Sequence, residues 1–392
     1  MSRKIAITGA SGSIGRMIVP RLAKAGVDVV LAGRDPERLR SRFPGHVITG
    51  YDDLADKLAG CDALLHLAVM NNDKDAAEDA FRAANVEFLV RIAEMARAAN
   101  VPLFINATTV RALDADVTDP YSVTKREGEA ALAALEGLRS VNLRLPAVYG
   151  EHFTGRLAFL NRLPAVSRGP ALALASAFRP VVSAGRVTDA VSGLLDGEGE
   201  SEILVCDPQE KNPVYRVLSR GLDLAFAAAV IVLLWWLLAL VWVLVRLTSP
   251  GPGIFAQPRV GKDEKVFTCY KFRTMQEGSP QAGTHEVSTS FVTPVGHFLR
   301  KTKIDEFPQI WNLVKGEMSL VGPRPCLPGQ RELIEWRRRF GVFRCRPGIT
   351  GLAQVKGIDM SRPQALARLD ARYCALRTII LDVKLVFALL LP

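Results

Sequence analysis

Asp305 and Glu306 stand side by side in "KTKIDEFPQ", among lysines and just before a proline. Transfer of a phosphorylated group needs a nucleophile on phosphorus, a cation for the diphosphate and positive charge around the moving group. Adjacent carboxylates in so basic a neighbourhood have the residue types for it, although a lone Asp-Glu pair more often begins a solvated helix. A second constellation suits proton exchange: Tyr121 and Lys125 of "YSVTK" are four residues apart, so a helix puts both side chains on one face. An ammonium beside a phenol favours the phenolate, which can trade a proton with a hydroxyl or carbonyl near neutral pH. A third is "TGASGSIG", where Gly9, Gly12 and Gly15 let the backbone approach a pyrophosphate and the helix that follows turns its positive end toward it. Spaced glycines also serve plain strand-to-helix turns, so the weight falls on context.

Two bodies must hold these residues. A chain of 392 residues suffices for two domains at roughly 100–200 residues each. Up to about Asp207, short apolar runs alternate with Ala/Leu/Arg-rich stretches, the rhythm of a parallel sheet covered by helices. "PQEKNP" breaks that rhythm, Leu224 to Val245 carries no charge, and from Arg246 the text is rich in Lys, Arg, Gly and Pro. The expected divisions are residues 1–210, 211–250 and 251–392. A net charge of +10 with 49% hydrophobic residues suits a folded protein held against an anionic surface. No basic stripe is interleaved with aromatics, so nucleic acid is not an expected partner. Cys61, Cys206, Cys269, Cys326, Cys345 and Cys374 show no paired spacing of the zinc or redox kind, and are expected as reduced thiols. "MSRKIAITGASG" enters a strand pattern within a few residues, which leaves no room for a signal peptide and places residue 1 onward in the cytoplasm.

The second strand pattern, "DVVLAGRDPERLR", ends in Gly33-Arg34 where NAD-preferring domains carry an acid for the ribose hydroxyls. A guanidinium there suits a 2′-phosphate, so NADPH is expected, with NADH possible; a solvated charge at a helix start is the alternative for Arg34. Together with "LLHLA", Asn85, "PLFINATTV", "YSVTK" and "LRLPAVYG", residues 3–207 resemble the extended short-chain dehydrogenase/reductase family of nucleotide-sugar epimerases, dehydratases and reductases. The resemblance implies a Rossmann-type, doubly wound parallel sheet whose cofactor is held by Gly9, Ser11, Gly12, Ile14, Gly15, Arg34, Leu67 and Ala68. It gives Tyr121 and Lys125 catalytic roles and calls for a Ser or Thr that hydrogen-bonds the reacting oxygen. Thr108 is the match, or Thr109 one residue on, because "TTVRAL" departs from the family's text. Asp52 and Asp53 are either an adenine contact or a solvated loop. The region after Gly150 is short for the family, which implies a compact substrate pocket or one completed by another chain or domain.

From Arg216 to the C-terminus the chain resembles the bacterial monotopic phosphoglycosyl transferases. The motifs are "TSPGPGIFAQPRVGKDEKVFTCYKFRTM", "KTKIDEFPQIWNLVKGEMSLVGPRP", "RPGITGLAQVKG" and "RLDARY". The implied fold is a re-entrant membrane helix followed by a mainly helical α/β domain. Asp305 is then the nucleophile that forms an aspartyl phosphosugar with loss of UMP, and Glu306 helps hold Mg²⁺ with Asp305 or handles protons. Lys271, Arg273, Arg324 and Arg346 are candidates to clamp phosphates, since a guanidinium can bind two oxygens at once. Asp370 and Tyr373 also match, with a structural role as the alternative. The implied partners are a UDP-sugar, undecaprenyl phosphate, the cytoplasmic membrane leaflet and a second copy in a homodimer.

The uncharged run of about 22 residues makes roughly 33 Å of helix, enough to cross a hydrocarbon core of about 30 Å. A single crossing would separate two sites that both use cytosolic substrates, and the basic flanks favour neither orientation. Re-entrance on one face of the bacterial inner membrane, with both domains cytoplasmic, is therefore expected. The family's mid-helix Ser-Pro is missing, and Trp235-Trp236 occupy its place, so a bend must come from tertiary contacts. The fusion implies that a UDP-4-keto-6-deoxy-N-acetylhexosamine is reduced and its sugar phosphate then passed to undecaprenyl phosphate. An epimerase or a UDP-sugar sensor is the alternative for the first domain, and a scaffold that organises a membrane assembly is the alternative for the whole chain.

Overall fold

The runs "KIAIT", "DVVLA" and "ALLH" carry no charge beyond their first residue, as strands covered on both faces require. In the computed structural model, which describes residues 3–71, 76–197, 200–276, 278–279 and 291–390, all three are strands of one sheet. The chain divides into two compact units, Met1–Leu172 with Pro180–Asp207, and Ala173–Arg179 with Pro208–Pro392.

The strands of the first unit are β1 Lys4–Thr8, β2 Asp28–Ala32, β3 Val47–Thr49, β4 Ala63–His66, β5 Phe104–Thr109, β6 Ser140–Leu145, β7 Ala147–Tyr149, β8 Val181–Ser183 and β9 Glu202–Leu204. Seven form a parallel sheet in the order β3-β2-β1-β4-β5-β6-β9, while β7 and β8 pair separately. Alternation along β1 decides which helices cover which face. Ile5 and Ile7 pack with Ile18, Val19 and Leu22 of α1 (Ser13–Lys24) and with Val187 and Val191 of α4 (Ala184–Leu195). Ala6 faces the other way, among Leu89, Ile92 and Ala96 of α2 (Phe88–Ala98) and Leu132 of α3 (Pro120–Ala133). The sheet is thus doubly wound, and its order reverses between β1 and β4, the crevice where such sheets bind ligands.

The second unit is built on α5, a helix of 36 residues from Pro213 to Thr248 whose first amides are capped by Asn212. A hairpin of β10 (Ile254–Val260) and β11 (Val266–Phe272) follows. Helices α6 (Pro294–Thr302) and α7 (Ile310–Lys315) come next, then the short parallel pair β12 (Ser319–Val321) and β13 (Gly348–Thr350). Helices α8 (Arg331–Arg339), α9 (Pro363–Leu376) and α10 (Ile379–Leu390) complete it.

By length and composition α5 could cross a membrane. The expected bend is not there: the helix is unbroken from end to end. It has no proline past its first turn to break it. Instead a stripe of buried residues, Asp223, Ala227, Val230, Val241 and Val245, runs along one side at helical spacing and lies against the rest of its own unit. The opposite surface is apolar and bare, with Val232 69%, Leu233 66%, Trp235 65% and Trp236 55% exposed. Both ends of the helix pack on one body, the first through Tyr215 on Asp382 of α10 and the last through Val245 beside Phe272 and Leu299. One feature of the thiols lies beyond the sequence reading. Cys345 and Cys374 are brought side by side, their Cα atoms 6.2 Å apart, because the Val342–Arg344 turn packs on α9. A separation of 29 residues hides that pairing from any reading of spacing.

Candidate active sites

In the first unit the glycine run lies at the β1/β4 reversal. Gly9 has φ +71°, and a Cβ there would fall 2.5 Å from the backbone nitrogen of Ala68, while one on Gly15 would fall 2.5 Å from the carbonyl oxygen of Ala10. The close approach brings together Gly9, Leu67 and Ala68, three of the residues expected to hold the cofactor. Gly12 is the N-cap of α1 and supplies no side chain, and the first turn has no acid, so the helix's leading amides face outward with their positive end unopposed. Ser11 and Arg34 are exposed and Ile14 half-buried. Sequence reasoning missed Tyr51, which follows β3. Burial raises its phenol, while a hydrogen bond with the Gly9 backbone and the charge of Arg34 pull it back, so it links the glycine loop to Arg34. Replacing Gly9 by Ala is expected to weaken binding of the reduced nicotinamide cofactor, read by fluorescence titration, about tenfold or more, since both backbone conformation and space are lost. An unchanged affinity would remove the loop from the nucleotide site.

Tyr121 and Lys125 lie on α3, started by Pro120 at its first position and by Asp119, which accepts the amide of Ser122 at 3.1 Å. Lys125 is buried and donates to the carbonyl of Ala107 at 3.0 Å. Burial pushes its pKa down to about 8, with Glu129 opposing. His66, at the end of β4, is kept neutral by burial and by Lys125, with a pKa of about 3. Asn85 fastens the chain after β4 to α3, through Met70 at 2.9 Å and Thr124 at 3.1 Å.

The two threonines are engaged differently. Thr108 donates to Glu129 at 2.7 Å, and Glu129 is paired with Arg144 at 2.5 Å, which also holds Glu202. Thr109 caps the next turn by accepting the amide of Arg111 at 3.3 Å. The sequence shows no acid next to Thr108; the fold supplies one, 21 residues away on α3, but Arg144 occupies it.

In the second unit Lys303 adopts a left-handed conformation, φ +57°, which ends α6 and starts the tight turn Ile304–Gln309. The turn presents Asp305 and Glu306, while Ile304 and Phe307 pack on Leu238 and the neighbouring apolar residues of α5. The carboxylates differ sharply. Glu306 accepts from Lys271 at 2.8 Å and Arg324 at 2.5 Å; burial raises its pKa, but the two cations override it and hold it at about 2. Asp305 is 8% exposed and, among the described residues, makes no hydrogen bond or ion pair. Burial raises its pKa, opposed by Lys271. Arg324 also lines a cavity of about 530 Å³ with Arg259, Lys303, Gln354 and Met360. Arg259, missed as a site residue, is fixed there by Pro325 and Gln257.

The four expected phosphate clamps separate. Lys271 and Arg324 are at Glu306. Arg273 is buried and grips the Ser249 carbonyl and hydroxyl at 2.7 and 2.9 Å. Arg346 belongs to a different cavity, 3.9 Å from Asp223. The Pro-Gly stretches around Arg324 and Arg346 interlock, for a Cβ on Gly322 or Gly348 would strike the other strand's backbone. Asp370 and Tyr373 are both engaged within the fold: Asp370 pairs with buried Arg337 at 2.7 Å, and the Tyr373 hydroxyl lies 2.8 Å from Asp382.

For a metal, the described residues contain no cluster of three or more His, Cys, Asp or Glu. Mg²⁺ bound with a diphosphate needs only one or two carboxylates, and uncommitted Asp305 fits that need. Glu306, expected to share the ion, is instead engaged by two side-chain cations.

Residues 214–391 match the family model described as bacterial sugar transferase. Over 190 residues the chain is 36% identical to the exopolysaccharide production protein PSS of Rhizobium leguminosarum bv. phaseoli, covering 44% of this chain and 92% of that protein. The chain belongs to the bacterial sugar transferase family. Its transferase unit is also 43% identical, over 37% of this chain and 35% of the relative, to UDP-N-acetylgalactosamine-undecaprenyl-phosphate N-acetylgalactosaminephosphotransferase of Aeromonas hydrophila. The chain spans about a third of the length of several curated relatives it matches. Ahead of the transferase unit, residues 5–194 match the NAD dependent epimerase/dehydratase family. Among solved structures, UDP-N-acetylglucosamine 4-epimerase from Bacillus cereus aligns with TM-score 0.41 and 20% identity, over 53% of this chain and 78% of that one.

Proposed function

We propose that this sugar transferase moves a sugar phosphate from a UDP-sugar to undecaprenyl phosphate, and that its first unit prepares the sugar by NADPH-dependent reduction of a UDP-4-keto-6-deoxy-N-acetylhexosamine. The observation that carries the transfer is the asymmetry of the acid pair: Glu306 neutralised by Lys271 and Arg324, Asp305 buried beside them and uncommitted. A carboxylate so placed attacks the phosphorus that bears the sugar. The bond to UMP breaks, UMP leaves, and an aspartyl phosphosugar remains. The lipid phosphate then attacks the same phosphorus and restores Asp305. Mg²⁺, when bound with the diphosphate, neutralises charge on its oxygens. Arg324, at the wall of the cavity, and Lys271 hold Glu306 as an anion; that charge adds to burial in raising the Asp305 pKa, while Lys271 opposes both and favours the ionised nucleophile.

In the first unit the nicotinamide, when bound, supplies the hydride for C4 of the sugar. Tyr121 gives the oxygen its proton, and the buried Lys125 ammonium sustains the phenol's acidity. Arg34 supports NADPH by suiting a 2′-phosphate. The unit is proposed to work on the cytoplasmic face of the bacterial inner membrane, in a homodimer, with α5 resting in lipid.

Purified protein given NADPH, a UDP-4-keto sugar and undecaprenyl phosphate is expected to oxidise NADPH and to yield, by mass spectrometry, a lipid-linked deoxysugar. Because the Lys125 pKa is about 8, NADPH oxidation should fall as pH rises through that value while transfer of a preformed sugar continues. Interconversion of UDP-sugars without net NADPH oxidation would instead identify an epimerase, the reading favoured by the family description. Transfer with no redox chemistry on any keto sugar would leave the first unit a sensor.

A further inference from the structure

The cavity that holds Arg346 is lined by Arg216, Lys262, Arg344 and Arg377 as well, against a single carboxylate, Glu210. Arg377 is paired with Glu210 at 2.6 Å, and Arg346 faces Asp223. Arg216, Lys262 and Arg344 have no carboxylate partner among the described residues. Three cations converging without an acid create a field that an anion relieves.

This cavity adjoins an apolar groove of about 150 Å³ between α5 and α10, walled by Leu222, Leu320, Val383, Val386 and Phe387. Ser219, Ser319 and Val321 belong to both. The two carboxylates on the groove, Asp223 and Asp382, are already hydrogen-bonded, Asp223 to Ser319 and Leu320, Asp382 to Tyr215 and Tyr373. A compact basic mouth opening into an apolar slot matches a molecule with a phosphate at one end and hydrocarbon at the other. The slot is also continuous with the bare apolar side of α5, where Leu222 and Leu224 are 37% and 42% exposed. That continuity favours a lipid drawn from a bilayer over a free phosphate.

We propose that this seam binds an anionic phospholipid, its phosphate among Arg216, Lys262 and Arg344 and one acyl chain between α5 and α10. The inference is independent of the chemistry assigned to Asp305. Such a lipid would fix the start of the apolar helix at the depth of the headgroups, where basic side chains are attracted to anionic lipids.

The test uses the full chain in flotation with phosphatidylcholine vesicles and with phosphatidylcholine–phosphatidylglycerol vesicles. Wild-type protein should prefer the anionic vesicles about tenfold or more at low salt. The triple variant Arg216→Gln, Lys262→Gln, Arg344→Gln should lose that preference while still binding neutral vesicles through α5. A charge-matched control, Lys24→Gln, Arg42→Gln, Lys57→Gln, removes three exposed cations of the first unit and should keep it. Phe387→Gln should lower the phosphatidylglycerol retained by the purified protein in native mass spectrometry. Equal losses in the triple variant and the control would overturn the proposal, because overall charge would then explain the preference. So would thermal stabilisation by inorganic phosphate alone that matches stabilisation by the lipid and is abolished in the triple variant.

Discussion

Asp305→Asn protein, mixed with a UDP-sugar, releases no UMP above background, a loss on the order of a thousandfold or more, because the amide cannot form the bond to phosphorus. The variant keeps the shape of the turn, since Ile304 and Phe307 continue to anchor it on α5. Wild-type activity should also fall on acidification at a pH above the ordinary carboxylate range, because burial raises the Asp305 pKa and only the ionised form attacks. Glu306, held at about 2, stays charged throughout and contributes nothing to that limb. Substantial turnover by the Asn variant would end the assignment of Asp305 as nucleophile.

The second large effect is on stability. Arg337 and Asp370 join α8 to α9 through a doubly bonded pair whose side chains are 2% and 3% exposed. Arg337→Met leaves the Asp370 carboxylate buried without its cation, at a cost of about 3–5 kcal/mol. For a unit of this size that lowers Tm by roughly 6–20 °C. The double variant Arg337→Met, Asp370→Leu should recover most of the loss, because the pocket around the pair is already apolar, with Leu333, Leu366 and Ala367. Thermal unfolding followed by circular dichroism measures both, and a double variant no better than the single one would mean that the pair holds α8 and α9 in a way packing cannot replace.

What the sequence revealed and what it hid follow from the range of each interaction. The glycine loop, the Tyr121/Lys125 spacing and the doubly wound sheet were legible, because each depends on neighbours within one turn or on the succession of apolar runs and helical stretches along the chain. The acid beside Thr108 was not, since Glu129 reaches it only after α3 packs against β5. Lys271 and Arg324 were recognisable as cations suited to a phosphate, but a string of letters shows charges without their partners, so their engagement with Glu306 had to come from the fold. The same limit scattered the remaining clamps: Arg273 went to Ser249 and Arg346 to a separate cavity. In α5, the absent proline correctly removed any local cause for a break. The sequence could not show that the body would lie along the helix and make a break unnecessary.

Ile304 and Phe307 flank the acid pair and fasten it to the middle stretch of that helix. The elevation of the Asp305 carboxylate over any surface on which the helix floats is thereby fixed when the chain folds, like a keel that sets a hull's waterline. Under the proposed transfer, a water-borne donor and an oil-borne acceptor can then meet at one level without the protein having to move between them.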